Sequence, residues 1–264
     1  MGPSLASRFT DLRQKGEKAL VTFVTAGDPP LEDLPVIVAA LQEGGADVIE
    51  VGVPFSDPIA DGPTIQAAGQ RALDAGTTPR AVLEAVGRCR LQVPVVLMGY
   101  YNPVLRFGLR SFAEAARDAG VAGNIVSDLT PEEADPWIAA SKACGLATVF
   151  LAAPTSTDER LDAVASRSTG FVYAVSRTGV TGASAALSPD AVGLVARLRA
   201  RTESPVCVGF GISEPDHVRA VCEVADGAVV GSRLVSLLHE EWDGGAGRAR
   251  VVEWVAALKA ATKG

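Results

Sequence analysis

Histidine, cysteine and basic charge are all in short supply in this chain of 264 residues. Two histidines, His217 and His239, leave little material for a histidine-based metal site or catalytic triad. The four cysteines, Cys89, Cys144, Cys207 and Cys222, form no CxxC pair. They sit in apolar or helical contexts, which fits reduced thiols and not a disulfide framework. Lys and Arg number 24 against 31 Asp and Glu, a formal charge of −7. That balance supplies no basic field for a nucleic-acid backbone or an anionic membrane, although a local anion pocket remains compatible with it. Long hydrophobic runs are missing as well. The first, Ala19–Ala26, is interrupted by threonines and far too short to span a bilayer. The residues before it turn polar where a signal peptide would have its apolar core, and Pro3 directly after Gly2 gives no lipidation context. A soluble, cytoplasmic protein is expected. No GxGxxG follows the first apolar run, so a dinucleotide-binding Rossmann fold loses its usual support.

What the chain does have is a regular alternation. Apolar residues make up 48% of it, ample for a large core. Eight short, β-branched runs recur: Leu20–Ala26, Val48–Val53, Val95–Met98, Asn124–Asp128, Thr148–Ala152, Phe171–Val175, Val206–Phe210 and Ala228–Gly231. Near-continuous hydrophobicity is expected of strands whose sheet is covered by helices. Between them lie helical segments at Leu34–Glu43, Thr64–Asp74, Pro79–Arg90, Leu109–Ala119, Pro131–Cys144, Glu159–Ser166, Pro189–Ala200, Pro215–Val224 and Val251–Leu258. Several open on proline and close on glycine, with Ser188-Pro189 and Thr130-Pro131 the cleanest starts. Gly244–Gly247 reads as a flexible break before the last helix. Eight strands alternating with helices over this length predict one (β/α)₈ TIM barrel spanning 1–264, with an additional N-terminal helix capping its bottom. Counting strands does not prove closure, and an open doubly wound sheet fits the same pattern.

In a barrel of this kind the chemistry sits at the C-terminal ends of the strands and in the loops that follow. Two loops stand out, Pro54–Pro63 and the small-residue stretch Ser176–Ser188, a candidate lid. Strand alternation puts Val48, Glu50 and Gly52 on one face and Ile49, Val51 and Val53 on the other. Glu50 is therefore expected to be buried near the mouth, with its pKa raised toward the range useful for proton transfer. A structural glutamate tied to an arginine or to backbone is the alternative. Asp57 and Asp61 lie just beyond, and Asp61 also fits a cap for the following helix. Asp28 and Asp128 are explained by turns. Gly209-Phe210-Gly211 and Gly231-Ser232 close the seventh and eighth strands, and Thr181-Gly182 lies in the long loop after the sixth, each with backbone N–H groups suited to phosphate. Tyr173 either bonds a substrate or fills the barrel mouth. Phe23, Met98 and Phe210 suit an apolar wall as well as ordinary core.

The stretch IEVGVPFSDPIADGPTIQ at Ile49–Gln66 resembles the tryptophan synthase alpha chain family. FVTAGDP at Phe23–Pro29, LMGYYNP at Leu97–Pro103, SDL at Ser127–Leu129 and APTST at Ala153–Thr157 support it. YAVSRTGVTG at Tyr173–Gly182, VGFGIS at Val208–Ser213 and VGS at Val230–Ser232 follow in order. The resemblance covers essentially the whole chain. It implies a (β/α)₈ fold and cleavage of indole-3-glycerol phosphate into indole and glyceraldehyde 3-phosphate. It also implies Glu50 as the acid and base, and Asp61 as the partner of the indole N–H. Tyr173 would assist at the glycerol end. Thr181, Gly182, Gly211, Gly231 and Ser232 would hold the phosphate end, and Phe23, Tyr100 and Phe210 would enclose the ligand. No metal or organic cofactor is implied for this chain. Pyridoxal phosphate belongs to a beta chain, with which an alpha2beta2 heterotetramer is expected through Asp57, Pro58, Asn102 and Pro103, the last two in a turn. Arg177 would link loop closure to the Asp61 side. Two departures from the family pattern are visible: Thr130 replaces the usual proline, and the loop after Gly182 is poor in charge.

Overall fold

A computed structural model of the chain describes residues 3–175, 187–209 and 211–263. Nine strand segments form one all-parallel sheet: β1 (Ala19–Thr25), β2 (Val48–Gly52), β3 (Val95–Gly99), β4 (Gly123–Val126), β5 (Ala147–Val149), β6 (Leu151–Ala152), β7 (Val172–Val175), β8 (Val206–Gly209) and β9 (Gly227–Val230). Their order is β5-β4-β3-β2-β1-β9-β8-β7-β6. The two ends of that row, β5 and β6, are separated in the chain by Phe150 alone. The sheet is therefore a barrel, closed by one interrupted strand. Its first half pairs with β4 and its second half with β7, and the Phe150 carbonyl accepts from the Tyr173 N–H at 3.1 Å. The expected fifth strand is thus present in two pieces, because its pairing passes from one neighbour to the other at Phe150. An open doubly wound sheet is excluded by this pairing.

The strands divide the core in two, as their alternation requires. Inside the barrel lie Val21, Val48, Val96, Ile125, Val149, Tyr173, Cys207 and Val229. Outside, between sheet and helices, lie Ile49, Val51, Val53, Leu97 and Val126 with the apolar faces of the helices. The additional helix, Leu5–Lys15, places Leu5, Phe9 and Leu12 in the inner cluster and so plugs the barrel from below. A fully buried Asp47 fastens that plug. Its carboxylate accepts from the Leu20 N–H at 2.7 Å, from Arg8 of the first helix, and from Lys259 Nζ of the last at 3.0 Å.

The helices Leu34–Glu43 and Pro215–Val224 have the expected bounds, and most others agree within a few residues. Four segments differ. Pro131–Cys144 divides into a 3-10 turn, Pro131–Glu133, and a helix, Asp135–Ala143, because a second proline, Pro136, fits only in a helix's first turn. The Tyr101-Asn102-Pro103 turn is instead the start of a helix, Tyr101–Phe107, where Pro103 lacks only an N–H that the first turn leaves free. An unforeseen helix, Ser232–Glu241, follows β9 and buries Leu234, Val235, Leu237 and Leu238. Gly244–Gly247 is a tight turn and not a loose break: Gly247 passes so close to the Glu241 carbonyl that no Cβ fits.

Asn124 on β4 is 3% exposed, yet neither amide atom meets a partner among the described residues. It faces outward into a small cavity walled by Pro103, Val104, Phe112 and Trp137. An unpaired buried amide costs about 1–3 kcal/mol, and valine suits a strand better. Asn124→Val is expected to raise Tm by roughly 2–4 °C per kcal/mol recovered. Thermal melts of the two proteins check this; a lower Tm in the variant would mean that the amide is partnered in solution.

Candidate active site

Parallel alternation brings Glu50 to the inner face of β2, level with Phe23 on β1 and Val96 on β3. Its side chain is fully buried, and neither carboxylate oxygen has a partner among the described residues. Desolvation without a compensating partner disfavours the charged form, and burial raises its pKa from 4.5 to about 8. No arginine or backbone group ties it down, so the structural alternative for Glu50 lacks support. Above it the chain has glycine. A Cβ on Gly52 would stand 2.5 Å from Cζ of Phe23, so the Phe23 ring occupies the place of an inward side chain one layer above Glu50. Gly209 on β8 serves Tyr173 in the same way: a Cβ there would lie 2.7 Å from the Tyr173 hydroxyl.

Asp61 reaches the same region from the loop after β2. It does not cap a helix. Gly62 holds the N-cap position of Pro63–Asp74 without a side-chain hydrogen bond, while the Asp61 carboxyl lies beside the Tyr100 hydroxyl. Burial raises the Asp61 pKa, and the neighbouring Tyr100 hydroxyl works against that rise. Tyr100 also accepts from the Ala60 N–H at 3.0 Å and packs its ring on Phe55, with centroids 5.2 Å apart. The loop Pro54–Pro63 is therefore fastened to the end of β3. Burial, and then the nearby charges of Glu50, Cys207 and Asp61, push the Tyr173 hydroxyl well above its ordinary range. Glu50, Asp61 and Tyr173 thus share one electrostatic environment.

Two hollows open over this floor. One is lined by Phe23, Phe55, Asp61, Met98 and Tyr100 among others, at the ends of β1 to β4. The other, about 290 Å³, is lined by Tyr173, Gly209, Gly211, Gly231, Ser232 and Arg233 at the ends of β7 to β9. Phe23, Ile65 and Met98 line both, so the two hollows adjoin across these side chains. The second lies at the N-terminus of Ser232–Glu241, with Gly231 as its N-cap and Ser232 its first residue. Ten residues of aligned peptide dipoles give that end a partial positive charge suited to an anion. The apolar periodicity of Leu234, Val235, Leu237 and Leu238 was the signal for this helix. Among the described residues no cluster of His, Cys, Asp and Glu is placed to hold a metal ion.

Asp57 and Pro58 lie in the Asp61 loop, beside an Ile59 that is 81% exposed. Asn102 and Pro103 open the helix on the far side of Tyr100. The turn reading for Asp28 and Asp128 is incomplete. Asp128 Oδ1 accepts from the Tyr101 N–H at 2.7 Å, and buried Asp28 is gripped by Arg71 through two hydrogen bonds of 3.1 and 2.6 Å. Arg177, Thr181, Gly182 and Phe210, with most of the candidate lid, fall outside the described residues.

The chain is 49% identical over 257 residues to the tryptophan synthase alpha chain of Citrifermentans bemidjiense, covering 97% of this chain and 96% of that one. It is similarly related to the alpha chain of Burkholderia thailandensis, at 49% identity over 98% of this chain and 97% of that one. A solved tryptophan synthase from Mycobacterium tuberculosis superposes with a TM-score of 0.90 at 40% identity, over 100% of this chain and 99% of that chain. Tryptophan synthase subunit alpha from Legionella pneumophila gives 0.90 at 33% identity, over 99% and 98%. The family profile described as tryptophan synthase alpha chain matches residues 9–263. With that match over nearly all of its length, the chain belongs to the tryptophan synthase alpha chain family.

Proposed function

We propose that Glu50 and Asp61 carry out, in this chain, the reaction of its family: cleavage of indole-3-glycerol phosphate to indole and glyceraldehyde 3-phosphate. The observation that carries this reading is a fully buried, unpartnered carboxyl on the inner face of the barrel, beneath a cavity that holds a second carboxyl at its rim. At neutral pH Glu50 holds its proton and delivers it to indole C3. Positive charge then develops at the ring N–H, which donates to the Asp61 carboxylate. The bond from C3 to the carbinol carbon breaks, and its electron pair returns to the ring. The carbinol O–H proton passes to Glu50 as the aldehyde forms, so Glu50 ends as it began. Tyr173 faces the glycerol end, and the phosphate rests at Gly211, Gly231 and Ser232 on the helix N-terminus, joined in the family pattern by Thr181 and Gly182. Phe23 and Tyr100 enclose the ring, joined in the family pattern by Phe210. This sequence of steps calls on no metal or organic cofactor in the chain itself.

Glu50→Gln keeps the shape and loses the transferable proton, and turnover is expected to fall by about 10²–10⁴-fold. Near-normal cleavage of indole-3-glycerol phosphate by the purified variant would remove Glu50 from the chemistry. The same substitution carries a stability signature. A carboxyl raised from 4.5 to about 8 is ionised in the unfolded chain but protonated in the folded one between those values, so the native state binds more protons there. Stability of the parent relative to Glu50→Gln should therefore fall as pH rises from 4.5 to about 8, and stay level on either side. Denaturant titrations across that range test the sign.

For the phosphate, Gly231→Val is the informative change. A Cβ on Gly231 comes no nearer than 3.5 Å to Phe23, so the fold has room for it while the cavity does not. Affinity for glycerol 3-phosphate should drop about 10- to 150-fold, the loss of one hydrogen bond to a charged group worth ~1.5–3 kcal/mol, with indole binding much less affected. Unchanged affinity in a calorimetric titration would place the phosphate elsewhere.

We also read the mouth beside Asp61 as the docking site of a beta chain, in an alpha2beta2 assembly whose pyridoxal phosphate sits in the partner. Ile59, 81% exposed, and Leu105, 53% exposed, project from the two segments joined by Tyr100. Two large apolar side chains left in water at one rim suit a protein surface. Cleavage by the isolated chain should be slow and rise strongly on adding the beta chain, with Asp57→Ala reducing that rise more than the basal rate. Full isolated activity with no response to any cognate beta chain would identify an indole-releasing lyase that works alone. The expected cytoplasmic location fits such an assembly, and among the described residues no helix is long and apolar enough to cross a membrane.

A further inference from the structure

Glycine inside a helix is less stable than alanine unless the backbone turns left-handed or a neighbour leaves no room for a Cβ. Gly69, in the interior of Pro63–Asp74, meets neither condition. Its φ is not positive. Apart from its chain neighbours and the helix backbone, a Cβ on it would find no atom within 4 Å. Such room is ordinary for a glycine that faces solvent, and none of the other glycines that have it is buried. Gly69 is buried, between Ala68 and Ala72 on the packed side of its helix. The space before it is therefore enclosed. Gly69 also lines the hollow that Asp61 lines, and Ile65, one turn earlier on the same helix face, lines it too. The enclosed space belongs to that hollow.

The fold gains nothing from glycine at this position, but the hollow gains room. Phe23, Ile65 and Met98 make its wall apolar, and an enclosed apolar space takes an apolar guest in preference to water. We propose that Gly69 sets the reach of the ring site, leaving room for a methyl- or halogen-sized group on the carbocyclic edge of the indole, so that the chain accepts rings enlarged in this way. The inference rests on the reading of this hollow as the indole site. Alanine at position 69 would fill the same room from the protein side. The methyl group of the ligand and that of the protein then compete for one place, and only one of them fits.

The test is equilibrium titration of the full chain, with glycerol 3-phosphate present, using indole and the methylindoles substituted at each carbocyclic position. At one position or more the parent should bind the methylindole about 4-fold more tightly than indole, the worth of one buried methyl group. In Gly69→Ala that ratio should fall to one or below. Because each ratio is taken within one protein, a general change of affinity in the variant cancels. Alanine is the better helix former, so the Tm of Gly69→Ala should equal or exceed that of the parent. A lower Tm would reveal a neighbour where the proposal needs space, and overturns it. No preference at any position in the parent, or a preference that survives in Gly69→Ala, overturns it equally. Cleavage of unsubstituted indole-3-glycerol phosphate by the parent is assayed alongside. Normal cleavage without the methyl preference defeats this inference alone, preference without cleavage defeats the catalytic reading alone, and a chain that binds no indole defeats both.

Discussion

The site depends on one uncompensated carboxyl group held inside a closed barrel. A carboxylate in such a place is unfavourable, and the molecule answers by keeping Glu50 protonated at neutral pH and not by pairing it with a cation. That state requires a dry interior. Closure through β5 and β6 supplies part of it, the plug of Leu5, Phe9 and Leu12 below supplies more, and the ring of Phe23 over Gly52 covers the top. Asp47 is the opposite solution in the same barrel. It is equally buried, but it is matched by Arg8, Lys259 and a backbone N–H. One carboxyl fastens the bottom of the fold and the other is left free to exchange a proton at the top.

Above Glu50 the mouth divides by strand. β1 to β4 carry an apolar wall with a carboxylate at its rim, and β7 to β9 carry glycines and a helix N-terminus. An elongated ligand with an aromatic N–H at one end and an anion at the other matches both chemistries at once. A basic side-chain cluster is unnecessary, because the anion end draws on backbone N–H groups. This is consistent with a chain whose formal charge is −7.

Much of this was legible in the sequence for a definite reason. A strand covered on both faces reads as a β-branched run, so all eight strand positions were visible, and period two alone placed Glu50 on the inner face beside Val48 and Gly52. Less visible were features set by neighbours in space. The break at Phe150 reflects a change of pairing partner, which no local pattern encodes. Asp61 reads as well as a cap until Gly62 is found at the cap position and Asp61 beside Tyr100, distant in sequence, at the rim of the hollow. Asp28 reads as a turn residue until Arg71 is found gripping it. The helix Ser232–Glu241 is a different case, since its periodicity is present in the sequence while the glycine-serine pair at its start reads as a strand end suited to phosphate.

Tyr100 joins the parts of the mouth. Its hydroxyl lies beside Asp61 and accepts from the Ala60 N–H, its ring packs on Phe55, and the next residue begins the helix that carries Leu105. That helix is held in turn by Asp128 from the end of β4, through the Tyr101 N–H. Displacement of either exposed segment, the Ile59 loop or the Leu105 helix, must therefore be taken up at Tyr100 or break one of these contacts. Burial is what raises the Asp61 pKa, and the Tyr100 hydroxyl beside it works against that rise. The two carboxyls therefore differ in their surroundings. Glu50 is governed by burial alone, which the barrel fixes. Asp61 stands at the rim, where burial is offset by a neighbouring hydroxyl whose position depends on the Ile59 loop and the Leu105 helix.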